Sequence, residues 1–403
     1  MAAARPAAFL IGCCAILAAG CDSLITQPPS DADLFDAPIA GLTREQQAAF
    51  VRGDQEFGRR FSIADGLGPI FNNISCADCH SGDGRGRPEN ALTRFSRAGD
   101  PVPELGGPQL QTRAIPGAVP ETLPPGVEVS VRMPPPVFGA GLIEAIPDSV
   151  LLALEDPDDR DGDGISGRAN RVHPPAWLPT GQPGSGPGPR VGRFSRKAQV
   201  AGLVQQVTEA YHQDIGITSD FLPVENLNPA AAAQTSAADR VADPEIPAST
   251  VLAVVDYLRM LAPPAPGEET AARARGGALF REVGCASCHV PELRTGAHAI
   301  AALADQPVRL YSDLLLPDMG DELADGRVDG EAEGREWRTA PLWGLRVMRD
   351  FLNGDVFLLH DGRAHSIEEA VDYHGGEAAA ARAAFRALSP EERSALVDFV
   401  GSR

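Results

Sequence analysis

The chain has 403 residues, 22% of them charged, with 35 Lys and Arg against 55 Asp and Glu for a formal net charge of −20. Phosphate backbones are bound by basic faces, so this balance argues against a nucleic-acid partner. It suits a basic redox protein steered by electrostatics, and equally a surface that is merely soluble.

The chain opens with one early positive charge, Arg5, and runs apolar from Ala7 to Ala19. That is the pattern of an export signal, and it is too short to remain as a bilayer-spanning helix. Leu17-Ala18-Ala19-Gly20-Cys21 resembles the bacterial lipobox. Residues 1–20 are therefore expected to be a lipoprotein signal, with Cys21 carrying lipid and Asp22 hinting at inner-membrane retention. A periplasmic protein held to a membrane by its N-terminus is the expected location. Residues 21–41, with Pro28-Pro29 and scattered Asp, are expected to form a tether.

Thr43 with Gln46 three residues on is a capping-box start, and Phe50, Phe57 and Phe61 follow near one helical face. Pro and Gly are dense at 100–136 and 173–189, which predicts long loops. A helical pattern at 250–261 stops at Ala262-Pro263-Pro264, and a new amphipathic helix is expected over 268–280. Each side of the boundary placed there carries one C-x-x-C-H motif, Cys76–His80 and Cys285–His289, a haem c attachment pattern, so it divides an N-terminal haem domain with insertions, 42–262, from a C-terminal cytochrome c domain, 263–403. The last helix starts at Ser389 as N-cap, with Pro390, Glu391 and Glu392 suited to its first turn. Small c-type cytochromes cross their first and last helices beside the haem, and 268–403 has that order. The class expected is mainly α, two cytochrome-c-like haem domains with long Pro/Gly-rich loops. A short repeat supports duplication: Arg132-Met-Pro-Pro-Pro-Val-Phe-Gly139 after the first Cys pair, and Arg338-Thr-Ala-Pro-Leu-Trp-Gly344 after the second.

The haem reading rests on the cysteines. Seven are present: Cys13 and Cys14 fall in the signal, Cys21 takes lipid, and Cys76, Cys79, Cys285 and Cys288 remain. Both remaining pairs are C-x-x-C followed directly by His80 or His289, the signature of covalent haem c attachment. Two thiols on one turn reach the two vinyl groups of a porphyrin, and the adjacent histidine becomes the proximal iron ligand. Zinc would need further Cys or His pairs, and no other C-x-x-C or H-x-x-x-H occurs.

Opposite His289, the pattern favours His374. Ser366-Ile-Glu-Glu369 resembles a capping box opening a helix through His374, whose face also carries Ile367, Ala370 and Val371. Met319 and Met348 are rivals, and His360 is either structural or at a haem edge. After His80 no histidine appears until His173, with Met133 between and His212 more distant, which points to an open or weakly held sixth position. Arg85, Arg87 and Trp337 are read as propionate partners, haem-edge residues, or simply solvated charges and a core ring.

Trp337–Leu345 and Leu359–Val371 resemble bacterial di-haem cytochrome c peroxidases, and their di-haem oxidoreductase cousins are the closer match. Gly66-Leu-Gly-Pro-Ile-Phe-Asn-Asn73, Gly139–Pro147 and Gly216-Ile-Thr-Ser219 look like that second group, and the likeness spans most of 50–403. In the peroxidases a segment of this kind carries the distal ligand of the electron-transfer haem, normally Met. It lies fourteen residues past the His of a His-Asp-Gly turn, and that position here is His374. The resemblance thus implies His289/His374 ligation and a lower potential. A displaceable loop His found in the peroxidases has no match here. Their distal acid–base Glu is matched to Glu144 in Gly141-Leu-Ile-Glu-Ala-Ile146, against a plain surface role.

The resemblance implies an oxidoreductase that reduces hydrogen peroxide, or oxidises another substrate through a high-valent haem, with electrons passing from the C-terminal to the N-terminal haem. The donor would be a small cytochrome or a cupredoxin. The alternative is a non-catalytic periplasmic electron carrier. Asp159-Arg-Asp161-Gly-Asp163-Gly164 opens like a calcium loop, although its twelfth position is Asn170 rather than Glu. The peroxidases also hold a calcium, so a cation on Asp159, Asp161 and Asp163 is expected, against an acidic solvated turn.

Overall fold

A computed structural model describes Ser30 and residues 34–80, 82 and 84–403. The signal segment, Cys21 and most of the tether lie outside the described residues. Helix is the main regular structure among those described, and the strands form four two-stranded antiparallel sheets.

The N-terminal half is framed by two helices, α1 (Arg44–Phe57) and α2 (Ala248–Met260). Thr43 Oγ1 accepts from Gln46 N at 3.2 Å while Gln46 Oε1 accepts from Thr43 N at 2.9 Å, so the capping box fixes where α1 begins. α2 ends at Met260 because Pro263 and Pro264 follow. The two helices cross at Gly53, where a Cβ would stand 2.2 Å from Ala253 O. Only a glycine allows that approach, and Phe50 and Phe57 can then pack against Tyr257.

The C-terminal half repeats the device. α3 (Ala271–Glu282) starts at Thr270 and α4 (Pro390–Gly401) starts at the Ser389–Glu392 capping box. They cross at Gly276, where a Cβ would lie 2.1 Å from Ala395 O, burying Leu279, Phe280, Leu396 and Phe399 in a small separate core. The crossing of first and last helices expected for 268–403 is present, and the N-terminal half shows the same arrangement between α1 and α2.

The two repeat motifs meet at the junction of the halves. Gly139 packs on the Trp343 ring and Gly344 on the Phe138 ring, each at a positive φ, so each motif closes over the aromatic of the other. The larger core runs through this junction, from Phe35 to Leu293, Leu310, Trp343 and Val347. Below it lies a buried ion network: Arg132 pairs with Asp329, Arg327 also reaches Asp329, and Lys197 Nζ donates to Asp325 at 2.8 Å. Burial alone would raise Asp329, but Arg132, Arg94 and Arg327 outweigh it and hold the carboxylate ionised.

The described end of the expected tether is not a tether. Phe35 is fully buried, stacked on Phe138 at 4.9 Å and against Phe351 at 4.2 Å, and Ile39 N donates to Met260 O at 2.7 Å. An aromatic ring among polar residues finds a core slot, and burying it outweighs the ordering of a short segment.

Candidate functional site

The first Cys pair sits on a single helical turn, Cys76–Cys79, with His80 at its C-terminal end. Asn72 N and Asn73 N donate to Asp214 O at 2.8 and 2.9 Å, tying the approach to this turn to a distant segment. Cys76, Cys79 and His80 line a cleft of about 190 Å³, walled by Phe57, Phe138, Phe194, Val254 and Leu258. Cys76, Cys79, Cys285 and Cys288 are not disulfide-bonded. Burial pushes Cys79 and Cys285 up to about 11 and raises Cys288 further, so all three are neutral thiols, unlike zinc-binding thiolates. Burial also brings His80 down to about 4, opposed by the carbonyls of Gly84 and Pro135. A neutral imidazole is the form that binds iron, and His80 Nδ1 is buried with no hydrogen-bond partner.

The cleft also carries charges that composition did not single out. Arg196 and Arg338 line it; Arg196 Nε donates to Met133 O at 2.9 Å and Arg338 Nε to Ser195 O at 3.0 Å. Their hydrogen bonds go to backbone carbonyls, not carboxylates. Burial, then Arg338 and Arg85, lowers Arg196 to about 9, and burial lowers Arg338 to about 10. Such an unneutralised guanidinium cluster facing an apolar cleft fits a bound dianion on an otherwise hydrophobic plate. Haem propionates have that chemistry, and the thiols, the neutral histidine and the cleft complete the fit.

Two carboxyls line the same cleft, supplied by α5 (Leu203–Ala210, lying between α1 and α2 in the chain) and the π turn Tyr211–Ile215 that follows it. π turns often sit at functional sites because they re-aim side chains along a helix. Burial raises Glu209, which accepts from Gln205 Nε2 at 2.8 Å, and pushes Asp214 up to about 6, where Gln109 donates to it. Among the described residues lining this cleft, His80 is the one imidazole and Met133 the one thioether. His173 is exposed, and both ring nitrogens of His212 are engaged, by Val224 O at 2.7 Å and Asn226 Nδ2 at 3.1 Å.

Glu144 does not line the cleft. It is buried, Oε1 accepting from Leu203 N at 2.7 Å and Oε2 from Arg259 Nε at 2.7 Å, so it joins α2 to the start of α5. The expected acid–base role falls to it neither by position nor by freedom. Arg85 donates to Trp343 O at 3.3 Å and Arg87 to Leu352 O at 3.0 Å, both outside the cleft lining. Trp337 is a core ring, bonded to Leu323 O at 2.8 Å and stacked on His360 at 3.7 Å, with Lys197 at 4.6 Å.

At the second Cys pair, His289 follows a 3-10 turn, Cys285–Ser287. His289 Nδ1 bonds to Tyr311 O at 2.9 Å and His374 Nδ1 to Ala370 O at 2.7 Å, which frees Nε2 of each ring. Burial lowers His289 to about 4, with the charge of His374 a smaller cause, and burial also lowers His374. The helix before His374, Ile367–Asp372, is shorter than expected, because Gly375-Gly376 follow and the chain turns out at Tyr373. Met319 packs with Leu323 and Trp337, and Met348 is buried at the junction.

In the acidic loop Asp159 and Asp161 converge with Asp156 rather than with Asp163, whose Oδ1 is taken by Ile165 N at 2.9 Å. Asn170 is absent from that group. It is fully buried and bonded to Lys197 O, Asp329 O and Glu331 N.

A family model described as "Di-haem oxidoreductase, putative peroxidase" matches residues 16–94 and 120–403. Among solved structures, hydrazine synthase of Kuenenia stuttgartiensis is similar at 13% identity and a TM-score of 0.40, covering 94% of this chain and 93% of that one. A MauG-like protein associated with microbial copper homeostasis is similar at 15% identity and a TM-score of 0.30, covering 65% and 79%. No curated protein matches the chain.

Proposed function

The chain belongs to the di-haem oxidoreductase family, and from that premise we propose that it is an exported di-haem c-type cytochrome that reduces hydrogen peroxide at its N-terminal haem. The observation that carries the reading is the contrast between the two sites. At the second site His374 is a further buried imidazole whose charge bears on His289, whereas His80 opens on a cleft holding Glu209 and Asp214. When bound, haem supplies an iron that exchanges electrons and accepts a small oxidant at a free position.

The chain's own residues do the rest. Cys76 and Cys79, and Cys285 and Cys288, would hold the two haems through thioethers, with His80 and His289 as the histidines that would bind iron. Arg196 and Arg338, which line the first cleft without a carboxylate partner, would bind the propionates of the first haem. Reduction of one peroxide to two waters takes two electrons and two protons. Burial raises Glu209 and pushes Asp214 up to about 6, so these carboxyls at the cleft take up and hand on a proton more readily than exposed ones. The apolar walls exclude bulk water, and Trp337 with His360 fills the space between the halves. Electrons enter at the His289/His374 site from a small cytochrome or cupredoxin. Cys21 anchors the protein in the periplasm through lipid, and the Asp156–Asp161 loop offers a calcium position.

Met133 at the cleft favours a second reading, in which its thioether closes the first site and the protein only carries electrons. Adding peroxide to the fully reduced protein separates the two. The peroxidase reading expects both haems to oxidise with one peroxide consumed per two electrons. Haems that stay reduced overturn it.

A further inference from the structure

The cleft carries a further guanidinium, Arg94, set differently from Arg196 and Arg338. It stands in the strand Leu92–Ser96, which pairs antiparallel with Glu128–Arg132. Side chains alternate along a strand, so Leu92 and Arg94 face the cleft together while Thr93 and Phe95 do not. On its other edge the strand is bridged at Arg94 to Gln109, with Phe95 N donating to Pro108 O and Leu110 N to Thr93 O, both at 2.9 Å. Cross-strand partners share a face. Gln109 is buried, lines the cleft, and donates through Nε2 to Gln213 O at 3.2 Å and to Asp214 Oδ1. The bridge thus sets a guanidinium beside the amide that holds the Asp214 carboxyl.

The Arg94 guanidinium is uncommitted. Its Nε is sealed from solvent without a partner, and among the described residues the guanidinium makes no hydrogen bond or ion pair. Burial lowers Arg94, and the largest opposing charge, Asp329, is already engaged by Arg132 and Arg327. An arginine keeps its charge even so, and a desolvated cation without an anion is costly, so what the cleft holds must meet it. A haem propionate is a poor candidate. It is a full anion that Asp214 and Glu209 would repel, whereas Arg196 and Arg338 bond only to backbone carbonyls and suit it better. Hydrogen peroxide arrives neutral and tolerates these carboxyls. It needs a cation only as its O–O bond breaks, when negative charge gathers on the departing oxygen.

We propose that Arg94 is a catalytic residue of the first site, donating its N–H groups to the outer oxygen of hydrogen peroxide as the O–O bond breaks. The inference rests on the peroxidase reading and deepens it. One peroxide takes two protons and two electrons, the electrons drawn from the donor protein through the haems, and both oxygens leave as water. Asp214, held by Gln109, passes a proton to the oxygen that Arg94 stabilises, and Arg94 keeps its own protons throughout. The same guanidinium holds a small anion in the resting site.

The test uses the purified holoprotein beside R94Q, with R94K as a variant that keeps a charge in the strand. Oxidised protein is titrated with sodium fluoride at pH 5.5 and reduced protein with carbon monoxide, both by visible spectroscopy. Oxidation of reduced protein by peroxide is timed by stopped flow. Wild type binds both ligands and reacts with peroxide. R94Q weakens fluoride at least about tenfold, for the loss of one charge-assisted hydrogen bond, and slows peroxide at least about a hundredfold. Carbon monoxide, which carries no charge, stays within about threefold. R94K shows smaller losses of fluoride and peroxide, and the same comparison on R94K decides if R94Q yields no holoprotein. Fluoride and peroxide unchanged in the variants overturn the proposal and leave the peroxidase reading standing. A wild type that binds neither ligand and stays reduced under peroxide overturns that reading, and this inference falls with it. Fluoride and carbon monoxide lost together in both variants also overturn the proposal, because Arg94 then holds the pocket rather than the substrate.

Discussion

Glu144→Gln removes the charge from a buried pair while keeping its shape. Glu144 is sealed, Arg259 is mostly so, and their Nε–Oε2 distance is 2.7 Å. Breaking a fully buried pair costs about 3–5 kcal/mol. Arg259 keeps Asp256 at 3.8 Å, and Gln can still accept from Leu203 N, so the expected cost is lower, about 2 kcal/mol. For a unit of this size that is a fall in melting temperature of roughly 5 °C. Glu144→Ala loses both contacts and falls further. The assay pairs a melt followed by circular dichroism with peroxide turnover per haem, measured well below the transition. The structure predicts a lower melting temperature and turnover within about twofold of wild type, because side chains outside the reacting site change rate little. An unchanged melt with turnover abolished refutes this placement of Glu144 and restores it as the acid–base residue.

Gly276→Ala drives a Cβ to 2.1 Å from Ala395 O, so α3 and α4 must separate; the expected loss is about 2 kcal/mol in urea unfolding, against a gain if the crossing is loose. His374→Ala removes one of the paired imidazoles at the second site, and its haem is expected to turn high-spin in the visible spectrum, whereas Met319 or Met348 ligation would leave the spectrum unchanged. Asp214 is a carboxyl raised by burial to about 6. Its unfolded value is about 3.9, so its neutral form is favoured on folding, and the stability it contributes is full below that value and fades as pH rises through about 6. D214N is therefore expected to lose less melting temperature than wild type between pH 4 and 8; parallel curves would refute the assignment.

What the sequence made legible was local. Capping at Thr43–Gln46 and Ser389–Glu392 is decided within one turn, and so is the stop at Pro263-Pro264, so those helix ends fell where expected. The turns carrying Cys76–His80 and Cys285–His289 are likewise set by adjacent residues. The cleft was not legible because its chemistry is assembled across the chain. Glu144 meets Leu203 and Arg259, partners 59 and 115 residues away, and nothing in Gly141–Ile146 announces them. Arg196 stands in Arg193-Phe-Ser-Arg-Lys197, a basic run within an acidic chain, and that contrast was the available signal. Glu209 and Asp214 look like ordinary helix-surface acids until the π turn brings them to the cleft. Phe35 was lost inside a Pro- and Asp-rich stretch whose composition suggested a linker.

The central claim is that the two iron sites differ, one closed by His289 and His374 and one open beside His80. Low-temperature EPR of the purified protein, fully oxidised and then half-reduced, tests it most directly. The account predicts a high-spin signal from one haem in at least one of these states, altered by cyanide or peroxide. Two low-spin haems in both states, unmoved by either ligand, would contradict it.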